Sequence, residues 1–254
     1  MFTTILIYVI VLLIVLFVLL TIFIQFGIRW SSTKEEQCAS MPGDKFLNGG
    51  PKVRVIMTRA VLINATPNVV WLWLAQLGRG AGFYSIDKLD NGGKDSAKHI
   101  VSWIPEPQPG DTSAIGYLRH LIPGERLVWW VGGERFLGSV TRMVVDIHLK
   151  PEDDGSRLVM RISGDAKGWT AQLCMFIFKG IDSIMAHKQL LGIKERAERY
   201  GSRTSDPESE ETGQRDRYQY YEVIYASGEK AGVPGKEKAE KWRQHAIEDG
   251  VIKL

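Results

Sequence analysis

Asp87, Asp90 and Asn91, close together in the stretch GFYSIDKLDN (82–91), are the residues whose types and spacing best suit chemistry. A carboxylate sheltered beside a pocket can bind a ligand hydroxyl or act as a base. In a long connection the same residues cap turns, and both readings stay open at this point. Arginines form a second group. Arg59 and Arg119 share strand faces with apolar residues, whereas Arg161 falls on a polar face. From an apolar face a guanidinium can meet the polar end of a ligand, or it can snorkel at the rim of the sheet. Other chemistries lack their residues. His99, His120, His148, His187 and His245 have neither i,i+4 nor finger spacing, and Cys38 and Cys174 add no ligand cluster, so no metal is expected. Gly78-Arg79-Gly80-Ala81-Gly82 follows a helix and lacks a Lys-Ser/Thr pair, which makes it a helix stop and turn instead of a phosphate loop. There is no G-x-S-x-G elbow to begin a hydrolase triad. No catalytic residue and no cofactor is therefore expected.

The elements that must position these residues follow from periodicity. Val53, Val55, Met57, Val61 and Ile63 alternate along one strand face that Arg59 interrupts. Thr66-Pro67 predicts an N-cap and a first helical residue, with a short helix carrying Trp71, Leu74 and Leu77 to Gly78. A Gly-, Asp-, Asn- and Pro-rich connection runs from Gly80 to Asp111. Alternation then returns at Ile115, Tyr117 and Leu121, at Leu127, Trp129 and Val131, at Met143 to Leu149, and at Leu158, Met160 and Ile162. These read as antiparallel hairpins with one dry and one wet face. After Gly168 the period becomes helical, from Trp169 to Leu191 and on through the charged Lys194–Arg199. A long helix with an apolar first half needs a concave partner. The fold class is α+β, a curved antiparallel sheet wrapped around that last helix.

Charge divides the chain. The net charge is +3 without a Lys/Arg-rich block, which gives no basis for nucleic-acid binding. Two cysteines exclude a disulfide framework. Residues 1–28 contain no charged side chain, and Ile5–Ile24 is apolar apart from Tyr8 and Thr21. At about 1.5 Å per residue that run covers roughly the 30 Å hydrocarbon core of a bilayer. It exceeds a signal-peptide core and has no basic start or small-residue cleavage site, so a retained single-pass anchor through residues 5–28 is expected. Arg29, Lys34 and Lys45 lie on its downstream flank and place the globular part in the cytoplasm. Residues 29–52 have tether composition, 53–201 form the main domain, and 202–217 are a charged linker. Residues 218–254 predict a strand at Tyr218–Ile224 and a helix at 235–249 with Ala239, Trp242 and Ala246 on one stripe. A piece this small must dock on the domain or on a protein partner.

From Val53 to Gly201 the chain resembles the START-like, helix-grip (SRPBCC) superfamily, and within it an uncharacterised bacterial branch. The likeness rests on Ala65-Thr66-Pro67 through Trp71, Leu74 and Leu77; on the stretch 82–91; on Pro105-Glu106-Pro107-Gln108-Pro109-Gly110-Asp111; and on 185–195 with Leu191-Gly192-Ile193-Lys194. Lys88 stands where that branch has an aromatic residue. The resemblance implies an elongated apolar cavity between sheet and final helix, and its bacterial branch together with the anchor at residues 5–28 places the chain in a bacterial inner membrane. Members bind lipids, sterols, quinones or polyketides, and some catalyse cyclisation or dehydration. The lining and ligand contacts it suggests are Trp71, Phe83, Tyr84, Asp87, Asp90, Tyr117, Trp129, Met160, Phe176 and Ile184, with Trp103 a further aromatic candidate. The expected function is a membrane-anchored binding protein for an apolar or amphipathic small molecule. A cyclase or dehydratase, using Asp87, Asp90, His120 or an arginine, is the alternative, and an interaction module working through the C-terminal extension is a third.

Overall fold

The computed structural model describes residues 2–47, 54–113, 115–136, 139–166, 168–204 and 236–252. Five strands form one antiparallel sheet: β1 (Arg54–Ile63), β2 (Tyr117–Ile122), β3 (Arg126–Phe136), β4 (Ser139–Glu152) and β5 (Gly155–Ala166), in the order β1-β5-β4-β3-β2. Three helices precede β2 in the domain's reach: α1 (Phe2–Gly27), α2 (Lys34–Cys38) and α3 (Pro67–Ala75); a single turn, α4 (Asp87–Asp90), follows them. The long helix α5 (Trp169–Thr204) packs across the sheet, and α6 (Lys236–Glu248) lies near β2. This is the helix-grip arrangement.

Alternation builds the inner face. Met57 pairs with Ile162, Ile162 with Val145, and Val145 with Trp129, so one apolar row crosses four strands. Ile147 and Met160 pair in the next row, and both are buried. Each such side chain, fully removed from water, contributes about 1.5–3 kcal/mol. From the other side α5 presents Ala186, Leu190, Ile193 and Ala197, all buried in the same cluster. α3 begins with Thr66 in an extended conformation and Pro67 at its first position, but the Thr66 side chain makes no capping bond. The fixed φ of proline sets this start.

Strand β2 departs from simple alternation. Its register against β3 shifts between Leu118 and His120, and one extra residue exchanges the faces on either side of it. Leu118 and Leu121 join the inner core, while Tyr117 packs outward with Val128, Trp130 and Val144. Period-2 reading of Ile115, Tyr117 and Leu121 misses this bulge and assigns Tyr117 to the wrong face.

The outer face is covered, not wet. Arg161 is 2% exposed; it donates to Thr58 Oγ1 and to the carbonyls of Glu36, Gln37 and Ala39, and it pairs with Asp44 at 2.9 Å. Arg157 pairs with Glu36 at 2.9 Å, and Asp146 joins Arg126 to the Gly43 N–H. The carboxylates that pair with Arg157 and Arg161, and the N–H that meets Asp146, belong to residues 33–47. There α2, closed by a Thr33–Glu36 capping box, and the 3₁₀ turn Pro42–Leu47 form a strap. Composition predicts a tether over 29–52; over 33–47 the polar residues instead complement the charges of the sheet. Residues 48–53 lie outside the described residues. Upstream of the strap, Ala60 N donates to Trp30 O and Ser32 Oγ to Thr58 O, along the edge of β1 that faces away from β5.

Both chain ends join the domain. Of the C-terminal extension, α6 buries Trp242 and Ala246 against Leu47, Tyr117 and Trp130. Arg119 and the Tyr117 hydroxyl both bond to Asp249 just beyond it. The predicted strand Tyr218–Ile224 and most of the 202–217 linker lie outside the described residues. At the other end α1 is long and apolar enough to cross a membrane, by length and composition. Its last turn is part of the domain: Ile24 and Ile28 are buried with Val55, Met57, Ile162, Ala171 and Met175.

Candidate functional site

Between the inner face of the sheet and α5 lies a cavity of about 470 Å³. Trp129, Ile147 and Met160 line it from the sheet, Phe178 and Met185 from α5, and Phe83 from the connection after α3. Five polar residues interrupt this apolar wall: Ser85, Asp90, Ser113, Asp182 and Gln189. Their environments differ, and that difference defines the site.

Asp90 ends the short turn α4. Both of its carboxylate oxygens are shut off from water and have no hydrogen-bond partner, and the same holds for the Ser85 hydroxyl. Burial raises the Asp90 carboxyl above its ordinary pKa and the charge of Asp87 adds to this; the Ser85 hydroxyl and the backbone N–H groups of Ile86 and Asp90, nearby but outside hydrogen-bonding geometry, offset part of it. Asp182 is buried too, but it faces Arg59 on β1 at 2.8 Å. Burial pushes the Asp182 pKa up and that of Arg59 down, each opposed by the partner's charge. Arg59 is fully buried and also donates through Nε to the Gly27 carbonyl at 2.7 Å. The pair therefore ties together the end of α1, the first strand and the long helix.

The connection carrying Phe83, Ser85 and Asp90 is fixed to α5 and α3 by hydrogen bonds. Gln189 donates to the Phe83 carbonyl at 3.0 Å. Buried Gln76 donates to the Tyr84 hydroxyl at 2.7 Å and the His99 carbonyl, and accepts from Val101 N at 2.8 Å. Tyr84 adopts φ 59, and the Arg196 guanidinium sits over its ring at 4.6 Å. Asp87 accepts from Ser96 N, Ser96 Oγ and Asn91 Nδ2, which holds the turn in shape.

Of the ten residues expected to meet a ligand, Phe83, Asp90, Trp129 and Met160 line the cavity. The other six lie elsewhere. Trp71 is packed into the core beneath α3. Tyr84 is turned away by its positive φ, onto Gln76 and Arg196. Asp87 is occupied by Ser96 and Asn91. Tyr117 faces outward because of the bulge. Phe176 stacks on Phe17 of α1, and Ile184 is 48% exposed on the outward side of α5. Arg119 lies on the outer side with Asp249, and His120 is not part of the wall. Sequence reasoning missed Ser85, Ser113, Asp182 and Gln189. For Asp182 a signal existed, since it is the one acidic residue between Trp169 and Lys194, opposite a strand whose apolar face holds one arginine. Among the described residues, no group of three or more His, Cys, Asp or Glu could hold a metal ion.

No family model matches the chain, and no curated protein matches it. Solved structures do show likeness. The Mll3558 protein from Rhizobium loti is 13% identical, covering 54% of this chain and 97% of that one, with a TM-score of 0.35. The di-domain ARO/CYC StfQ from the steffimycin biosynthetic pathway is 12% identical over 59% of this chain and 52% of that one, at 0.40. An AHSA1-like protein from Rhizobium etli is 18% identical over 57% and 82%, at 0.31.

Proposed function

We propose that this chain binds an amphipathic small molecule of lipid, isoprenoid or polyketide-like character between the sheet and α5, and that α1 anchors it in a bilayer. The observation that carries this reading is the unpartnered Asp90 carboxylate on an otherwise apolar wall. A buried acceptor without a donor costs about 1–3 kcal/mol, and a ligand hydroxyl or amine recovers that loss. The apolar body of the ligand adds about 25 cal/mol for each Å² it removes from water. The cavity volume falls within the roughly 300–1,000 Å³ typical of small-molecule sites. Anchoring is supported by the length and composition of α1. Arg29, Lys34 and Lys45 beyond it favour a cytoplasmic domain.

Native mass spectrometry of the full chain released from lipid nanodiscs tests this. One bound amphiphile per chain is expected, and it should be lost in Met160→Trp, which fills the cavity. No bound amphiphile, or equal retention by Met160→Trp, overturns the reading. A second reading draws on Asp90 itself, because a desolvated carboxyl with a raised pKa suits a general acid in cyclisation or dehydration. Returning the extracted molecule to the protein separates the two. A product lighter by one water, formed by the wild type and not by Asp90→Asn, favours the enzyme.

A further inference from the structure

We infer that the first half of α5 is a second lipid-contacting element, lying against the bilayer that α1 spans; this rests on reading α1 as a span. Trp169, Leu173, Ile177, Ile181 and Ile184 form one outward stripe and are 48% to 75% exposed. Spacings of three and four place them on a single helix face, and fifteen steps at about 1.5 Å make the stripe about 22 Å long. A contiguous apolar patch of this kind marks an interaction surface.

The neighbouring helix identifies what covers it. Phe17 of α1 stacks on Phe176 at 6.1 Å, Ile24 lies against Gly180, and Gly27 lies against Ser183. A Cβ at Gly27 would stand 2.5 Å from Ser183 Cβ, so only glycine permits that approach. Residue numbers rise together through these contacts, so the two helices run side by side in the same direction. Both also turn polar at one level. The charge-free run of α1 ends at Arg29, and Trp30 stacks on His187 at 4.1 Å. On α5 the outward residues change from an apolar series ending at Ile184 to Lys188, Leu191, Glu195 and Arg199, three of them charged. Short of that level Gln172 is exposed and Lys179 half-buried, and a lysine stem can snorkel to the headgroups. A protein partner imposes no reason for the polar boundary of α5 to match that of α1. A lipid surface does, and tryptophan at the boundary is the residue such an interface favours.

The position of the cavity gives this contact a use. Met143, Val145, Ile162 and Phe178 line the cavity and pack in the same cluster as Ile24 and Ile28. One end of the binding space is thus walled by residues at the α1–α5 junction, next to the acyl chains from which an apolar ligand would come.

The test uses the full chain with Cys38→Ser and Cys174→Ala, carrying one environment-sensitive fluorophore at Leu173→Cys, Ile177→Cys, Tyr8→Cys or Glu195→Cys. Each is reconstituted in phosphatidylcholine/phosphatidylglycerol vesicles containing doxyl-labelled lipid. Labels at 173 and 177 should be quenched several-fold more than the label at 195, and to an extent comparable with the label at 8. If 8 is quenched and 173 and 177 behave like 195, the inference fails while the span stands. Labels at 173 and 177 that are blue-shifted without lipid quenching mean that protein covers the stripe, a second copy if dilution reverses the shift, and this too overturns it. If 8 is unquenched, the span reading falls and the inference with it.

Discussion

Asp90 and Asp182 stand on one cavity wall, and what faces each carboxylate decides its role. Asp182 has a guanidinium at 2.8 Å. Removing one member of such a buried pair typically costs about 3–5 kcal/mol, because the other is left uncompensated. Asp90 has no such partner, so burial makes its ionised form a liability. The sign of the pH effect follows from its raised pKa. The cost is absent below the unfolded value of 3.8 and develops as pH rises through the higher folded value. Asp90→Asn should therefore raise the Tm of ligand-free protein by up to a few degrees at pH 7 and leave it unchanged near pH 4, read by differential scanning fluorimetry. A lower Tm at pH 7 would show that the carboxylate has a stabilising partner.

Among the elements, α5 depends on a close approach that helix propensity opposes. A glycine inside a helix costs roughly 0.5–1 kcal/mol relative to alanine. At Gly192, however, a Cβ would lie 2.2 Å from the Tyr84 carbonyl, a backbone atom that cannot swing aside. Gly192→Ala should therefore destabilise the domain by about 1–3 kcal/mol, as overpacking does, and loosen the Gln189–Phe83 bond that fixes the cavity loop. Urea unfolding checks the sign, since propensity alone predicts the opposite. The strands and α5 were legible in the sequence because burial of one face imposes period 2 or period 3.6 directly on residue types. The strap was not. Glu36 and Asp44 meet arginines more than a hundred positions away, and in a linear reading their segment has only the polarity of a linker. The cavity was legible in part for the same reason. Trp129 and Met160 follow from alternation, whereas one inserted residue in β2 removed Tyr117, and only packing reveals that Asp182 points inward.

At the scale of the whole molecule, both faces of the sheet are covered by segments brought from its two ends. The inner face takes α5 and the last turn of α1; the outer takes the strap and α6. These covers are not equivalent. The strap is bound to β5 by the Arg157–Glu36 and Arg161–Asp44 ion pairs and to β4 by the Gly43–Asp146 hydrogen bond, whereas α6 relies on Trp242, Ala246 and the bonds to Asp249. Trp242→Ala should release α6 without unfolding the domain. Amide exchange across 236–252 would then rise many-fold while the main thermal transition moves little. Loss of the main transition would make α6 integral to the core.

The two bonds from Trp30 and Ser32 to the free edge of β1 acquire a further meaning for chains held by α1. On the proposed anchoring by α1, copies would diffuse in a plane, upright and at one height, and identical strand edges would meet far more often than in solution. An open edge under those conditions is a template for strand addition and aggregation. The stretch that leads from α1 to the strap occupies that edge. On that reading it would guard against lateral polymerisation as well as connect.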